Sequence, residues 1–136
     1  MGAPSEGSPT FGRTGGLCLG TDSNARISMV EEMRWLEYGQ RLREELRGRI
    51  TDDRGDSATA LVTIATRGGA RSLGIEAGEI EAGRWADLTA LDLDAPGLAG
   101  ADTESLLPAW IFGGGNEIVA GTFVAGRWRG RGRAEA

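Results

Sequence analysis

The longest regular pattern in the chain predicts an amphipathic helix that starts at Ser28 and ends near residues 48–50. Ser28 and Glu31 have the spacing of a capping box, in which each side chain accepts a hydrogen bond from a free N–H of the first turn. Glu37 and Arg41 stand four residues apart, a spacing that favours an ion pair on a helix. A helix with a broad apolar face needs packing partners. That face is predicted from Met29, Met33, Trp35, Leu36, Leu42 and Leu46.

A short apolar run and a polar corner come directly before this helix. Residues 17–19 (Leu-Cys-Leu) are predicted to form a buried strand, as in a parallel sheet, and the run stops at Gly20. The polar residues 21–24 then lie at the carboxyl end of that strand. A carboxylate at this end of a barrel strand can bind a divalent metal and accept a proton from metal-bound water. Taken alone, an Asp after a strand is more often a turn residue or a helix cap.

Shorter elements are predicted in the middle of the chain. Ser57 has the character of an N-cap, and a second helix is predicted from it to about Thr66. The two glycines at 68–69 break this helix, and Gly74 closes a further short helical turn. Glycines within residues 75–83 indicate turns around a very short strand.

The last third of the chain is predicted to contain strands and one short helix. Residues 86–92 alternate between apolar and polar side chains, as a half-buried strand does. A short helix is predicted over 103–112, and further strands are predicted over 118–119 and 122–125. From Arg127 onward the basic, glycine-rich pattern indicates a solvated, frayed end.

Length, charge and cysteine content limit the class of protein. The chain has 136 residues, which fits one domain, and its net charge of −5 does not favour a nucleic-acid or membrane-surface role. No apolar run approaches the ~18 residues of a membrane span. The single cysteine, Cys18, is interpreted as a small buried residue, and a reducing cytoplasm fits it. We therefore expect a cytoplasmic protein without nucleic-acid or membrane partners.

Three segments, in this order, resemble the C-terminal third of the amidohydrolase superfamily. Residues 19–24 (Leu-Gly-Thr-Asp-Ser-Asn) resemble the segment that ends the eighth barrel strand of that superfamily. Residues 65–74 are similar to the helix that returns the chain to a small domain. Residues 78–88 are similar to the Gly-x-Ile-x-x-Gly-x-x-Ala-Asp-Leu turn and strand of the small β-sandwich. The resemblance is specific because all three segments occur in this order and at sensible spacing.

Within the superfamily, residues 28–43 are similar to the formimidoylglutamate deiminases of histidine breakdown. Those enzymes hydrolyse N-formimino-L-glutamate to N-formyl-L-glutamate and ammonia. The resemblance covers roughly residues 15–129, and guanine deaminase and other aminohydrolases share the shorter segments. It implies an α/β fragment: the last strand and helix of a (β/α)₈ barrel, plus the C-terminal part of a small β-sandwich. A complete barrel takes ~250 residues, so most of it is not represented in this sequence.

The resemblance divides the chain into four predicted segments. A loose leader occupies residues 1–16, and the barrel piece, with its strand and the following helices, occupies 17–74. The sandwich piece with a short helix occupies 75–129, and a disordered tail occupies 130–136. Because the long helix would have lost most of its packing partners, we expect marginal stability, association with another chain or aggregation.

The resemblance also implies a site that this sequence holds only in part. Members bind zinc or a similar divalent ion through a His-x-His pair, histidines on later strands and a final Asp. Asp22 matches that Asp, which implies a role as metal ligand and as base or proton shuttle. Ser23 and Asn24 are candidate substrate-binding residues, with capping of the following helix as the alternative role. The chain has no histidine, and catalytic zinc usually takes three protein ligands, so we expect no metal bound by this chain alone.

Three functional interpretations stay open at this point. The chain is a C-terminal fragment of a deiminase that is inactive alone, or it is one chain of a split aminohydrolase completed by a partner. In the third interpretation it is a non-enzymatic binding module that retains the small sandwich. The first two require the missing N-terminal barrel part or a partner chain, and a homo-oligomer also stays open.

Overall fold

The computed structural model describes residues 16–130, in which a helical part is followed by a small antiparallel sheet. The predicted leader, except Gly16, and residues 131–136 of the predicted tail lie outside the described residues. The elements in chain order are α1 (Met29–Glu44), α2 (Ser57–Thr63), a π-helical turn (Ile64–Gly68), α3 (Gly69–Leu73), β1 (Leu88–Leu91), a 3₁₀ turn (Pro96–Leu98), α4 (Leu106–Pro108), a second π-helical turn (Ala109–Gly113), a second 3₁₀ turn (Asn116–Ile118), β2 (Val119–Val124) and β3 (Arg127–Gly130).

Helix α1 begins where the sequence predicts. The Ser28 hydroxyl accepts a hydrogen bond from the Glu31 N–H at 3.4 Å, and the Ser28 backbone is extended, as an N-cap is. The Glu31 carboxylate pairs with Arg26, its Oε1 lying 3.0 Å from Nη2, rather than completing a reciprocal box. The helix ends at Glu44, earlier than predicted, because Glu45 adopts a left-handed φ of 54°.

The buried face of α1 is narrower than the sequence predicts. Val30 and Met33 are each 2% exposed, and Glu37 is fully buried on the same side. Trp35 and Leu42, which were predicted to belong to the buried face, are 64% and 79% exposed. With 3.6 residues per turn, positions 30, 33 and 37 lie on one stripe, whereas 35 and 42 lie on the opposite one. The predicted apolar face therefore combined two stripes of the helix. Other described residues pack on the stripe with positions 30, 33 and 37, and the stripe with positions 35 and 42 stays exposed.

Helix α2 is capped one residue earlier than predicted. Asp56, rather than Ser57, is the N-cap, since its Oδ1 accepts hydrogen bonds from the N–H groups of Ala58 at 2.8 Å and Thr59 at 3.2 Å. A carboxylate also interacts favourably with the positive end of the helix dipole. Ser57 is therefore the first residue of the helix.

The predicted break at Gly68 and Gly69 is wrong. Both glycines keep right-handed helical backbone angles, so α2, the π-helical turn and α3 run on from one another until Gly74 closes α3 with a left-handed φ of 66°, as predicted. A Cβ on Gly68 would collide with the carbonyl oxygen of Leu17. Glycine at this position therefore permits close packing of two backbone segments instead of ending a helix.

The three strands form one antiparallel sheet in the order β1, β2, β3. Strand β1 confirms the alternating pattern over 86–92, and β2 merges the two strands predicted over 118–119 and 122–125. Strand β3 replaces the frayed end predicted from Arg127. The turn before it has positive φ at Ala125 and Gly126, 49° and 74°, which is the backbone twist that two-residue hairpins require.

Two predicted strands are absent from the described part of the chain. Residues 17–19 run without ladder partners, and residues 75–83 form bends and turns. A buried parallel strand needs neighbouring strands on both sides, and the described residues contain no parallel strand. Leu17 and Leu19 instead pack against the helical core, and Cys18 is half-buried. The predicted barrel piece over 17–74 is thus helical here, without its strand.

The helical part and the sheet part share one contact region. Trp110 packs against both buried clusters, one around Leu61 and one around Ile118. Asn116 joins the start of α1 to the sheet, because its Oδ1 accepts from the Ser28 hydroxyl at 2.9 Å. No helix within residues 16–130 has the length and apolar character that a membrane span requires.

Candidate functional site

The polar corner before α1 is a tight turn with Asp22 at its tip. The Asn24 N–H donates to the Thr21 carbonyl at 2.7 Å, which closes the turn. Asp22 adopts a left-handed φ of 36°, a conformation that Asp tolerates better than most residues. The sequence therefore places a carboxylate at an exposed loop tip, held by the packing of the preceding apolar run and by the cap of the following helix.

The side chains of this corner differ in how firmly they are held. Asp22 is exposed, and the Ser23 hydroxyl lies 3.5 Å from its Oδ1, at the limit of a hydrogen bond. Asn24 is fixed at both ends of its amide: Nδ2 donates to Glu32 Oε1 at 2.8 Å, and Oδ1 accepts from the Arg26 N–H at 3.1 Å. Asn24 thus ties the corner to the first turn of α1, whereas the Asp22 carboxylate is directed to solvent.

The described residues do not by themselves make a metal site. No group of three or more His, Cys, Asp or Glu side chains within residues 16–130 could hold an ion. The Asp22 carboxylate would supply one oxygen ligand, and catalytic zinc takes about three protein ligands. A single carboxylate in water does not fit the donor set that such a metal requires, so a catalytic metal needs ligands from outside these residues.

Arg67, in the 65–74 segment, is paired with a carboxylate of this chain. Arg67 Nε lies 3.0 Å from Glu79 Oε1, an ion pair that links the end of the helical run to the following loop. Gly78 in that loop has a φ of 86°, and a Cβ there would meet the Thr66 carbonyl oxygen at 2.7 Å. The loop is therefore packed closely on the helical run. We interpret the Arg67–Glu79 pair as a structural contact rather than a substrate-binding one.

A second feature, which the sequence did not predict, is an open groove between the helices and the sheet. Its volume is about 910 Å³. The helical wall comes from α1, α2 and the turn that follows, and the opposite wall comes from all three strands. Asp22 does not line it. The main apolar lining residues are Met29, Met33, Val62, Ala65, Ile80, Leu88, Leu91 and Val119.

Sequence reasoning missed this groove because its walls lie far apart along the chain. The sequence contained one signal, an apolar Ile80 within a glycine-rich loop. The structure leaves Ile80 91% exposed and Met29, which is predicted to be buried, 38% exposed. Both line the groove. Apolar residues left uncovered by their own chain are the feature that points to such a surface.

Comparisons with known proteins agree on one family. Residues 14–129 match the sequence profile of the amidohydrolase family. A formimidoylglutamate deiminase of Pseudomonas aeruginosa is 47% identical over 115 residues, which cover 84% of this chain. A 5-methylthioadenosine/S-adenosylhomocysteine deaminase of Natronomonas pharaonis is 41% identical over 83 residues, 59% of this chain. The crystal structure of an amidohydrolase from Brucella melitensis superposes on 86% of this chain with a TM-score of 0.72 and 30% identity.

The chain spans only part of these relatives. The matched region is 25% of the Pseudomonas deiminase, 18% of the Natronomonas deaminase and 25% of the Brucella chain. The similarity therefore concerns a segment of each relative, and the fold match includes both the helical part and the sheet.

Proposed function

The chain belongs to the amidohydrolase family, and on that premise we propose that it is the C-terminal part of a metal-dependent deiminase that hydrolyses N-formimino-L-glutamate to N-formyl-L-glutamate and ammonia. The observation that carries the proposal is the 47% identity to a formimidoylglutamate deiminase over 84% of this chain. In this proposal residues 17–74 correspond to the last strand and helix of the (β/α)₈ barrel, and residues 75–129 to the end of the small sandwich. The reaction belongs to histidine degradation, in the cytoplasm.

Asp22 is the residue of this chain that we assign to the active centre. Its exposed carboxylate at a loop tip supports the assignment, because a ligand must be open to the ion it binds. We assign it as one ligand of zinc or a similar divalent ion and as the site's proton acceptor. Ser23, beside it, is a candidate for substrate contact. Asn24 is a weaker candidate, since both ends of its amide already bind this chain.

Activity requires a second part that carries the remaining metal ligands. The chain has no histidine, and one carboxylate is too few ligands for a catalytic zinc. We therefore propose that this chain is inactive alone and works with an N-terminal barrel part, whether that part is joined to it or supplied as a separate chain. A binding module without catalysis is the alternative.

An assay of ammonia release tests the proposal. The purified chain is incubated with Zn²⁺ and N-formimino-L-glutamate, alone and after co-expression with the Pseudomonas deiminase from which the matching 115-residue segment has been deleted. We expect turnover only in the co-expressed sample. Turnover by the chain alone would contradict the need for a second part, and no turnover in either sample would favour the binding module.

A second substrate tests the specificity within the same experiment. The relatives include 5-methylthioadenosine/S-adenosylhomocysteine deaminases, at 41% identity over a shorter region. We expect ammonia release from the formimino compound and not from 5-methylthioadenosine. The reverse preference would overturn the assigned substrate and leave the family assignment unchanged.

A further inference from the structure

Asn116, in the short 3₁₀ turn before β2, holds two consecutive residues at the start of α1. Its Oδ1 accepts a hydrogen bond from the Ser28 hydroxyl at 2.9 Å, and its Nδ2 donates to the Ile27 carbonyl at 3.2 Å. The Asn116 side chain is exposed, whereas Ser28 is 7% exposed. Both ends of one amide are thus used on the N-cap of α1 and on the residue before it, 88 and 89 positions away along the chain.

Arg34 connects the same two regions from the side of α1. Its guanidinium donates hydrogen bonds to the carbonyl oxygens of Ile111 and Gly114. Gly114 is one of three consecutive glycines, and a Cβ there would collide with the fully buried side chain of Ile118. Glycine lets the backbone pack closely at this point. The segment that carries Asn116 is therefore fixed in the fold, so it can support the start of α1.

The start of α1 in turn holds the corner that carries Asp22. The Glu32 N–H donates to the Ser28 carbonyl at 3.1 Å, and the Glu32 carboxylate accepts a hydrogen bond from Asn24 Nδ2 at 2.8 Å. Asn24 closes the turn with Asp22 at its tip. A continuous series of hydrogen bonds therefore runs from Asn116 to the turn of Asp22.

The corner has no other polar support within residues 16–130. Every hydrogen bond and ion pair of residues 21–26 in this part of the chain stays inside the corner or reaches Glu31 and Glu32, in the first turn of α1. The position of the corner therefore depends on that first turn. Asn116 binds directly to the N-cap of the same turn, so it is the contact from the last third of the chain that reaches closest to the corner.

We infer that Asn116 is a positioning residue for the Asp22 carboxylate, and this step rests on the proposed function. A group that accepts a proton must lie within hydrogen-bond reach of it, and a misplacement of about 1 Å can lower a rate about 100-fold. Asn116 acts on that distance through Ser28 and Ile27 and contacts no reacting group. The 75–129 segment thus contributes to the rate of the reaction, although it supplies no catalytic residue.

Amide hydrogen exchange in the full chain, followed by NMR, tests the positioning without any reaction. Asn116→Ala removes both hydrogen bonds, and because the Asn116 side chain is exposed, the change leaves the core packing intact. We expect the amides of Asn24 and Glu32 to exchange about tenfold faster in this variant. The amide of Ile50, which donates to the buried Glu37 carboxylate, should keep its rate and shows that the fold is retained.

Asp87→Ala is the matched control. Asp87 is also exposed, and its Oδ1 accepts one long-range hydrogen bond, from the Ala125 N–H at 2.6 Å, which does not involve α1 or the corner. This variant should leave the exchange of Asn24 and Glu32 unchanged. Equal acceleration in Asp87→Ala and Asn116→Ala would mean that a general loss of stability, and not the contact with Ser28, releases the corner.

Steady-state kinetics of ammonia release test the catalytic consequence in the complex with the deletion form of the Pseudomonas deiminase. We expect Asn116→Ala to lower kcat about tenfold and to change KM by no more than about twofold, because a misplaced carboxylate affects the reaction and not substrate binding. Asp87→Ala should keep both constants. Asn116→Asp retains an acceptor for the Ser28 hydroxyl, so its kcat should fall between those of the unmodified chain and Asn116→Ala.

Several results would overturn the positioning role. Unchanged exchange at Asn24 and Glu32 in Asn116→Ala would show that this side chain does not hold the corner. A raised KM with an unchanged kcat would indicate a role in substrate binding instead. A kcat for Asn116→Asp as low as that of Asn116→Ala would show that the contact with Ser28 does not carry the effect.

Failure of the proposed function gives a different result. If the unmodified complex releases no ammonia while Asn116→Ala still speeds exchange at the corner, the proposed function fails and the structural link between Asn116 and the corner stands. If the unmodified complex is active and Asn116→Ala changes neither exchange nor kcat, the positioning role fails and the proposed function stands.

Discussion

The buried carboxylate of Glu37 accepts a hydrogen bond from the backbone N–H of Ile50 at 2.8 Å, thirteen residues further along the chain. Its other oxygen accepts from the N–H groups of Gly48 at 3.0 Å and Arg49 at 3.2 Å, and from Arg41 Nε at 2.7 Å. The loop after α1 is thus held by one side chain of the helix. Ile50, which is 1% exposed, enters the core at this point.

Replacing Glu37 with Ala should destabilise the fold strongly. The change leaves three backbone N–H groups and the partly exposed Arg41 guanidinium without their acceptor, and leaving a buried donor unsatisfied costs about 1–3 kcal/mol. Glu37→Gln, which keeps an oxygen, should cost less. Urea unfolding followed by circular dichroism measures both. Glu104→Ala, at an exposed position, is the control, and an equal loss for Glu104→Ala and Glu37→Ala would contradict this role.

The N-cap of α2 predicts an acid-dependent part of the stability. The N–H of Thr59, its hydroxyl and the N–H of Ala58 all donate to the Asp56 carboxylate, which holds the pKa of that carboxyl below its ordinary value of 3.8. A lowered pKa in the folded state gives stability that is complete above 3.8 and is lost as the pH falls through the folded-state value.

Asp56→Asn should therefore flatten the pH profile of the unfolding free energy. The unmodified chain should lose more stability than the Asp56→Asn variant between about pH 5 and pH 3. The reason is that the carboxylate of Asp56 can be protonated, whereas the amide that replaces it cannot. At pH 7, Asp56→Ala should cost about 1 kcal/mol, the usual value of a lost N-cap. Denaturant unfolding at a series of pH values gives both results. Parallel profiles for the unmodified chain and Asp56→Asn would rule out this contribution.

Two glycines should respond to the same substitution with opposite signs. A Cβ on Gly121 would meet the Trp128 ring at 2.5 Å and Gly130 Cα at 2.6 Å, so Gly121→Ala forces the hairpin apart and should cost roughly 1–3 kcal/mol. Gly39, within α1, has open space around it, so Gly39→Ala should gain about 1 kcal/mol from helix propensity. Melting temperatures of the two variants check this, and a shift of the same sign in both would contradict it.

Local signals in the sequence were sufficient for several elements. The Ser28 cap, the Glu37–Arg41 pair and the left-handed Gly74 each depend on residues within four positions of one another, and all three are confirmed. The strand over 86–92 was found in the same way, although β1 is shorter. These features could be predicted because short-range geometry alone determines them.

The errors concern contacts between distant parts of the chain. Strand β3 is held by Trp128, which packs on Phe123 with ring centroids 5.0 Å apart and lies over Gly121. No local sequence pattern at Arg127 predicts these contacts. Glu37 was predicted as a partner of Arg41, but its burial depends on the loop that reaches back to it. The groove was missed for the same reason. The polar corner at Asp22 was found, because it follows from the order of a few residues, and its chemical role stays a prediction.

The Asp22 corner offers a final, selective prediction. Asn is the replacement that best tolerates the left-handed φ of 36°, so Asp22→Asn should change the unfolding free energy by no more than about 0.5 kcal/mol. In the co-expressed complex the same change should lower ammonia release by about 100-fold or more, because the site loses a charged ligand and proton acceptor. Ser23→Ala is the matched neighbour and should lower it far less. If Asp22→Asn destabilises the chain in proportion to the activity lost, the Asp22 carboxylate acts as a helix-cap residue and not in the catalytic site.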